Sequence, residues 1–138
     1  MRYLGLDLGS RTLGIAISDA TGTIASTYKT IRHNEDYRHL LNVVKDIVKE
    51  EEIDAIVLGF PKNMNNTIGP KAELSIEFKE ELEKKLNIPI YLQDERLTTT
   101  IATNILIEGN MNRKNRKKVV DQVAATIILQ DFLDRKEK

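Results

Sequence analysis

The chain has no cysteine, which excludes a disulfide framework, a thiol nucleophile and cysteine-ligated zinc. Redox chemistry is therefore not expected, and a reducing cytoplasm is compatible with the composition. An excess of either charge is also lacking, because 21 Lys plus Arg balance 21 Asp plus Glu. Recognition of a polyanion then has to rest on a local patch rather than on the field of the whole molecule. No apolar run approaches the roughly 20 residues that span a bilayer, and the first residues are strand-like without a basic and apolar leader. A soluble, cytoplasmic protein with no membrane partner is expected. The two histidines, His33 and His39, are not spaced as ligands on one helix face, and no Gly-x-Ser-x-Gly elbow occurs. Both histidines are expected at the surface around the first helix. "GLDLGSRTLG" is neither a Walker loop nor a dinucleotide fingerprint, although its glycine turn could approach a phosphate.

The 138 residues suit a single domain, 1–138, that buries roughly two-thirds of the surface of its unfolded chain. Two short apolar strands lie within Arg2–Asp19, and "TIASTYKTI" reads as a third. The polar turn Ala20-Thr21-Gly22 favours an antiparallel meander. Asn34 can cap a helix ending near Glu51, with Tyr37, Leu40, Leu41, Val44, Ile47 and Val48 on one face. "DAIVLGF", Asp54 to Phe60, is almost unbroken in its apolarity, as expected of a strand covered on both faces and paired in parallel with an earlier one. Gly69-Pro70 opens a second amphipathic helix carrying Leu74, Phe78, Leu82 and Leu86. After Pro89 comes the strand "IYLQ", then a helix from Thr98 to Gly109, a basic loop, and a last helix from about Val119 to Leu133. The class is mixed α/β.

Three acids occupy awkward places. Along the first strand Asp7 alternates with Leu4, Leu6 and Leu8 and shares its side with Gly5 and Gly9. Glycine weakens a strand but lets a ligand or a second backbone come close. Asp121 lies on the last helix beside Ala124, Ala125, Ile128 and Phe132. Glu95, in "QDER", follows the last strand at the carboxyl end, where open α/β sheets bind ligands. Taken singly, each has an ordinary reading: a strand-end acid facing water, an acid favouring a helix dipole, a partner for Arg96. Taken together, two carboxylates about 5 Å apart repel by roughly 3 kcal/mol at an effective dielectric constant of 20. Three such pairs approach 10 kcal/mol, comparable with the stability of a whole domain, so a converging cluster must protonate or hold a cation. Hard oxygen donors select Mg²⁺ or Mn²⁺, and such ions leave coordination positions for phosphate oxygens. The basic run "NRKNRKK" contains Arg113, Lys114, Arg116, Lys117 and Lys118. It is either a solvated loop or a phosphate-binding patch.

Four ordered stretches carry a family resemblance: "LGLDLGSRTLGIAISD" from Leu4 to Asp19, "LGFPKNMNNTIGPKA" from Leu58 to Ala72, "DERLTT" from Asp94 to Thr99, and "DQVAATIILQDFLD" from Asp121 to Asp134. On these residues the chain resembles the YqgF family, also called RuvX, to which both Holliday junction resolution and pre-16S ribosomal RNA cleavage are ascribed. The resemblance implies a ribonuclease H-like fold with a five-stranded mixed sheet, three antiparallel strands then two parallel, flanked by helices. It implies that Asp7, Glu95 and Asp121 are the catalytic acids and the ligands of Mg²⁺ or Mn²⁺. The partner would be nucleic acid, with pre-rRNA favoured for processing of its 5′ end and junction DNA as the alternative. Arg11, Arg96 and the basic run from Arg113 to Lys118 would meet its backbone.

The chain departs from the family pattern at Arg11-Thr12, where a Lys-Arg pair is usual. Ala124 and Ala125 also stand where the wider resolvase group often has a fourth acid. A noncatalytic RNA-binding assembly factor is a second class of function. ATP binding is a third, disfavoured by the lack of a second domain to close a nucleotide cleft. Symmetrical cutting of a junction needs a homodimer, whereas trimming one RNA end needs only a monomer.

Overall fold

Alternating large and small residues make the first two strands two-sided, and the rest of the chain packs around that asymmetry. A computed structural model describes residues 1–9, 12–34, 36–60, 70–94 and 113–136, with the side chains at 60, 70–71, 94, 113–123 and 136 outside the description. The elements are β1 (Tyr3–Leu8), β2 (Thr12–Ser18), β3 (Ala25–Arg32), α1 (Tyr37–Glu50), β4 (Ala55–Phe60), α2 (Pro70–Lys85), β5 (Ile90–Asp94) and α3 (Arg113–Lys136). One sheet holds all five strands in the order β3-β2-β1-β4-β5. The first three run antiparallel to one another, and β4 and β5 add in parallel to β1. The expected mixed topology is therefore present, with β1 at its centre.

Leu4, Leu6 and Leu8 of β1 join Leu13 and Ile15 of β2 on one face, where α1 contributes Leu40, Leu41, Val44 and Ile47 and α2 contributes Phe78 and Leu82. The opposite face is lined by Tyr3, Ala16, Ala55 and Val57 and covered by Ala125, Ile128, Leu129 and Leu133 of α3. Small residues let that helix lie close. A Cβ added at Gly5 would stand 2.7 Å from Leu129 Cβ and 3.1 Å from the Ala125 carbonyl oxygen, closer than packed atoms tolerate.

The β2–β3 turn is held by Asp19. Its carboxylate accepts hydrogen bonds from the backbone N–H groups of Thr23 (2.8 Å) and Ile24 (3.0 Å) and from the Thr21 hydroxyl. Gly22 supplies the left-handed residue of that turn, at φ +70. Across the sheet, the Arg2 N–H donates to the Asp54 carboxylate and the Asp54 N–H to the Arg2 carbonyl, both at 2.8 Å, which fixes where β4 begins against β1.

Three local expectations are corrected. Asp36, not Asn34, caps α1, its carboxylate accepting from the His39 N–H at 3.2 Å. The acid sits one residue before the helix, within reach of the free N–H groups of the first turn. The basic run does not form a loop: α3 starts at Arg113 and includes it. Lys and Arg are strong helix formers, and that propensity outweighs their unfavourable position at the positive end of the helix dipole. His33 is buried rather than at the surface, whereas His39 is exposed. The helix expected from Thr98 to Gly109 lies outside the described residues. Among the described residues no helix is long and apolar enough to cross a membrane.

Candidate functional site

The carboxyl ends of β1, β4 and β5 point the same way, because these strands are parallel neighbours. Asp7 stands near the end of β1, half-buried, on the face covered by α3. Its neighbours on the sheet are small. Gly5 precedes it on the same face, Gly14 is its direct partner on β2, and Gly59 lies on β4 one residue beyond the Leu6–Leu58 pair. Gly5 admits α3 to this face, and Gly14 and Gly59 put no side chain on the strand positions level with Asp7.

The register of α3 can be read from its described contacts. Phe132 packs on Tyr3 with ring centroids 5.8 Å apart, while Ala125 and Leu129 lie against Gly5. The helix therefore runs antiparallel to β1, and its amino-terminal half heads in the direction in which β1 runs from Tyr3 to Asp7. Asp121 belongs to that half, one turn before Ala125, and its side chain lies outside the described residues. Ala124 and Ala125 are buried, as expected of inward positions on this helix. On β5, Tyr91 stacks on Phe132 at 5.3 Å and the Gln93 amide donates to Asp131, so alternate residues of this strand face α3 as Asp7 does.

Glu95, Arg11 and Arg96 lie outside the described residues. Arg113, Lys114, Arg116, Lys117 and Lys118 belong to the first turns of α3, with side chains outside the description. Among the described residues no group of three His, Asp or Glu side chains gathers to hold a metal ion. Asp7 alone of the proposed acids is described in full. Its carboxylate is a hard oxygen donor of the kind such an ion takes.

Two features at this end escaped the sequence reading. His33 Nε2 lies 3.0 Å from the Gly9 carbonyl oxygen, and because a carbonyl only accepts, this nitrogen carries the proton. The ring packs on Tyr37 with centroids 5.5 Å apart. Together with the Gly9 N–H donating to the Thr12 carbonyl at 2.8 Å, it pins the turn that follows Asp7. The available signal was alternation: His33 continues the side of Ile31, which packs on the core. The second feature is Thr30, paired with Gly14 and so in line with Asp7 across β2. Its hydroxyl is buried with no hydrogen-bond partner among the described residues, and nothing in the sequence marks it.

Comparisons with known proteins agree with this architecture. Residues 1–135 match the family model described as RuvX: Holliday junction resolvase. A protein of Geobacillus sp. (strain WCH70) bearing the name "Putative pre-16S rRNA nuclease" is 48% identical over 138 residues, 99% of this chain and 100% of the relative. A protein of the same name from Bacillus subtilis (strain 168) is 50% identical over 137 residues, 97% of this chain and 98% of the relative. Among solved structures, Thermus thermophilus RuvC in complex with a Holliday junction substrate superposes with a TM-score of 0.63 at 13% identity, covering 100% of this chain and 97% of that one. At that identity the likeness concerns the fold, which is ribonuclease H-like.

Proposed function

The chain belongs to the RuvX family, and from that premise we propose that it is a divalent-metal-dependent nuclease that hydrolyses nucleic-acid phosphodiesters, with the 5′ end of pre-16S rRNA as the favoured substrate. The observation that carries the proposal is Asp7, a half-buried carboxylate at the end of the central strand with glycines on three sides. The names of the full-length relatives support ribosomal RNA as the target. The family description supports junction DNA as the second reading. A single sheet with helices on both faces supports one nuclease domain over 1–138.

Asp7, Glu95 and Asp121 are the proposed ligands of Mg²⁺ or Mn²⁺ and the catalytic acids. Gln93 faces α3, and Glu95 follows it two residues later in the sequence. Ala125 lies against Gly5, and Asp121 stands one turn earlier on α3. When bound, a divalent cation supplies Lewis acidity toward the phosphoryl group and lowers the pKa of a water nucleophile. The chain's own part is positional. The three carboxylates fix where charge is held. Arg11, Arg96 and the cations from Arg113 to Lys118 neutralise neighbouring phosphates. Trimming one RNA end asks only for a monomer; paired cuts in a junction ask for a homodimer.

The test offers purified protein with Mg²⁺ or Mn²⁺ an end-labelled pre-16S rRNA fragment and a labelled four-way DNA junction. Divalent-dependent cleavage of the RNA is expected, and Asp7→Asn and Asp121→Asn should each abolish it while the protein stays folded. Undiminished cleavage by Asp7→Asn refutes the assigned ligand. Salt-sensitive RNA binding with no cut under either ion supports a noncatalytic assembly factor instead.

A further inference from the structure

Beside the acid site an open pocket of about 420 Å³ is lined by Thr12, Arg32, His33 and Asn34. Thr12 and Arg32 pair directly across β2 and β3, two residues beyond the Gly14–Thr30 pair that is level with Asp7. Alternation therefore puts both on the sheet face of Asp7, at the same end of the sheet. Two strand spacings sideways and two residues along place the Arg32 Cα on the order of 12 Å from that of Asp7. A short run of polymer backbone bridges that interval. The pocket is not an independent surface feature, since His33, in its wall, is bonded to Gly9 in the turn that follows Asp7.

Arg32 carries a charge that no described residue pairs. Its side chain is exposed and forms no ion pair with any described residue, whereas Arg2 pairs with Glu51 at 3.7 Å and Arg135 with Asp131 at 3.2 Å. The Thr12 hydroxyl and the Asn34 amide add neutral hydrogen-bonding groups to the same pocket. A guanidinium fork with neutral donors around it matches the oxygens of a phosphate. The Tyr37 ring beside His33 is packed on the histidine.

We propose that this pocket binds a backbone phosphate flanking the scissile one, with Arg32 as its anchor and Thr12 and Asn34 as hydrogen-bonding partners. The subsite rests on the nuclease reading for its place beside a cut. Its chemistry, a phosphodiester of either RNA or DNA, is tested separately from cleavage.

The experiment measures binding of fluorescein-labelled single-stranded RNA and of a labelled four-way DNA junction by anisotropy across a salt series, using full-length protein carrying Asp7→Asn so that no substrate is consumed. Adding Arg32→Ala should weaken binding about 3- to 10-fold and reduce the slope of log affinity against log salt by about one phosphate's worth, ~0.7 to 0.9. Arg32→Lys should retain most of the slope, because a point charge still displaces a counterion. An effect confined to one polymer identifies that polymer as the ligand of the pocket. Unchanged affinity and slope for both in Arg32→Ala, with an unchanged unfolding temperature, overturns the subsite, as does a parent protein that binds neither polymer. If binding behaves as expected but protein with Asp7 intact cuts nothing, the nuclease reading fails while the phosphate subsite stands. In cutting-competent protein Arg32→Ala should raise KM and leave kcat nearly unchanged.

Discussion

The two faces of the sheet are built on opposite plans. Against α1 and α2 the central strands present Leu4, Leu6, Leu8, Leu13 and Ile15, a continuous layer of large aliphatic side chains. Against α3 the same strands present Gly5, Asp7, Gly14 and Ala16. The first face buries much apolar area per residue and supplies stability through transfer free energy and close packing. The second gives up that area. In exchange it brings α3 close to the backbone of β1 and sets a half-buried carboxylate among small residues. One strand thus carries fold and site at once, separated only by the alternation of its side chains.

The contrast is broken most sharply by a pair of neighbouring substitutions. Asp7→Asn should lower metal-dependent cleavage on the order of 100-fold or more, the scale on which a group stabilising transition-state charge acts, with little change in unfolding temperature. Leu6→Ala, one residue away and fully buried on the other face, should cost about 2 to 5 kcal/mol in denaturant unfolding. Its cleavage per folded molecule should be largely kept. An Asp7→Asn protein as unstable as Leu6→Ala would mean that the acid is part of the fold rather than of the site.

Gly5→Ala comes next. The added methyl meets the Leu129 Cβ at 2.7 Å and the Ala125 carbonyl at 3.1 Å, so either strand or helix must shift. Overpacking of this kind costs about 1 to 3 kcal/mol. Because α3 also carries Asp121, cleavage should fall as well. A double-mutant cycle with Leu129→Ala checks the cause, since relief of the clash makes the pair less unstable than the sum of its parts. A purely additive cycle would assign the cost to strand propensity instead.

These faces were legible in the sequence to different depths. The leucine alternation of β1, the apolar run of β4 and the helical spacing of α1 and α2 follow from side-chain periods that local chemistry enforces. All of these elements formed in the expected order. Asp7 was singled out because an acid among glycines contradicts a simple strand. The misses share a different cause, which is that each depended on a partner distant in sequence or on a balance of small terms. His33 reads as a polar residue after a strand until the Gly9 carbonyl is brought to it. Asn34 and Asp36 are both good caps, and only the backbone path decides between them. The run from Arg113 to Lys118 reads as a loop by charge but as a helix by propensity. Arg32 drew no notice, since an arginine at a strand end has no motif; its neighbours Thr12 and Asn34 give it significance.

A smaller test of the contrast uses Thr30, on the face of Asp7, whose hydroxyl is buried without a partner among the described residues. An unmatched buried hydroxyl is a cost, so the near-isosteric Thr30→Val should leave stability unchanged or raise it by up to about 1 kcal/mol. A clear loss in thermal unfolding would show that the hydroxyl holds a bound water.

The mildest case sits at the opposite end of β2, where Asp19 shows what an acid serving only the fold looks like. Hydrogen bonds from the backbone of Ile24, the Thr21 hydroxyl and the backbone of Thr23 hold its carboxyl well below the usual carboxylate range. A depressed folded-state pKa favours the native state above the unfolded value, near 4, and that contribution is lost as pH falls from there toward the folded value. Asp19→Asn should therefore have a slightly lower unfolding temperature than the parent at neutral pH, and the gap should narrow as pH falls below about 4. Because Asp19 is fully exposed, solvent screening keeps the effect small. Its cleavage and metal dependence should match the parent's throughout. If Asp19→Asn altered metal dependence as Asp7→Asn does, the division of labour between the two ends of the sheet would be wrong, because the Asp19 carboxylate is engaged by three donors of its own turn.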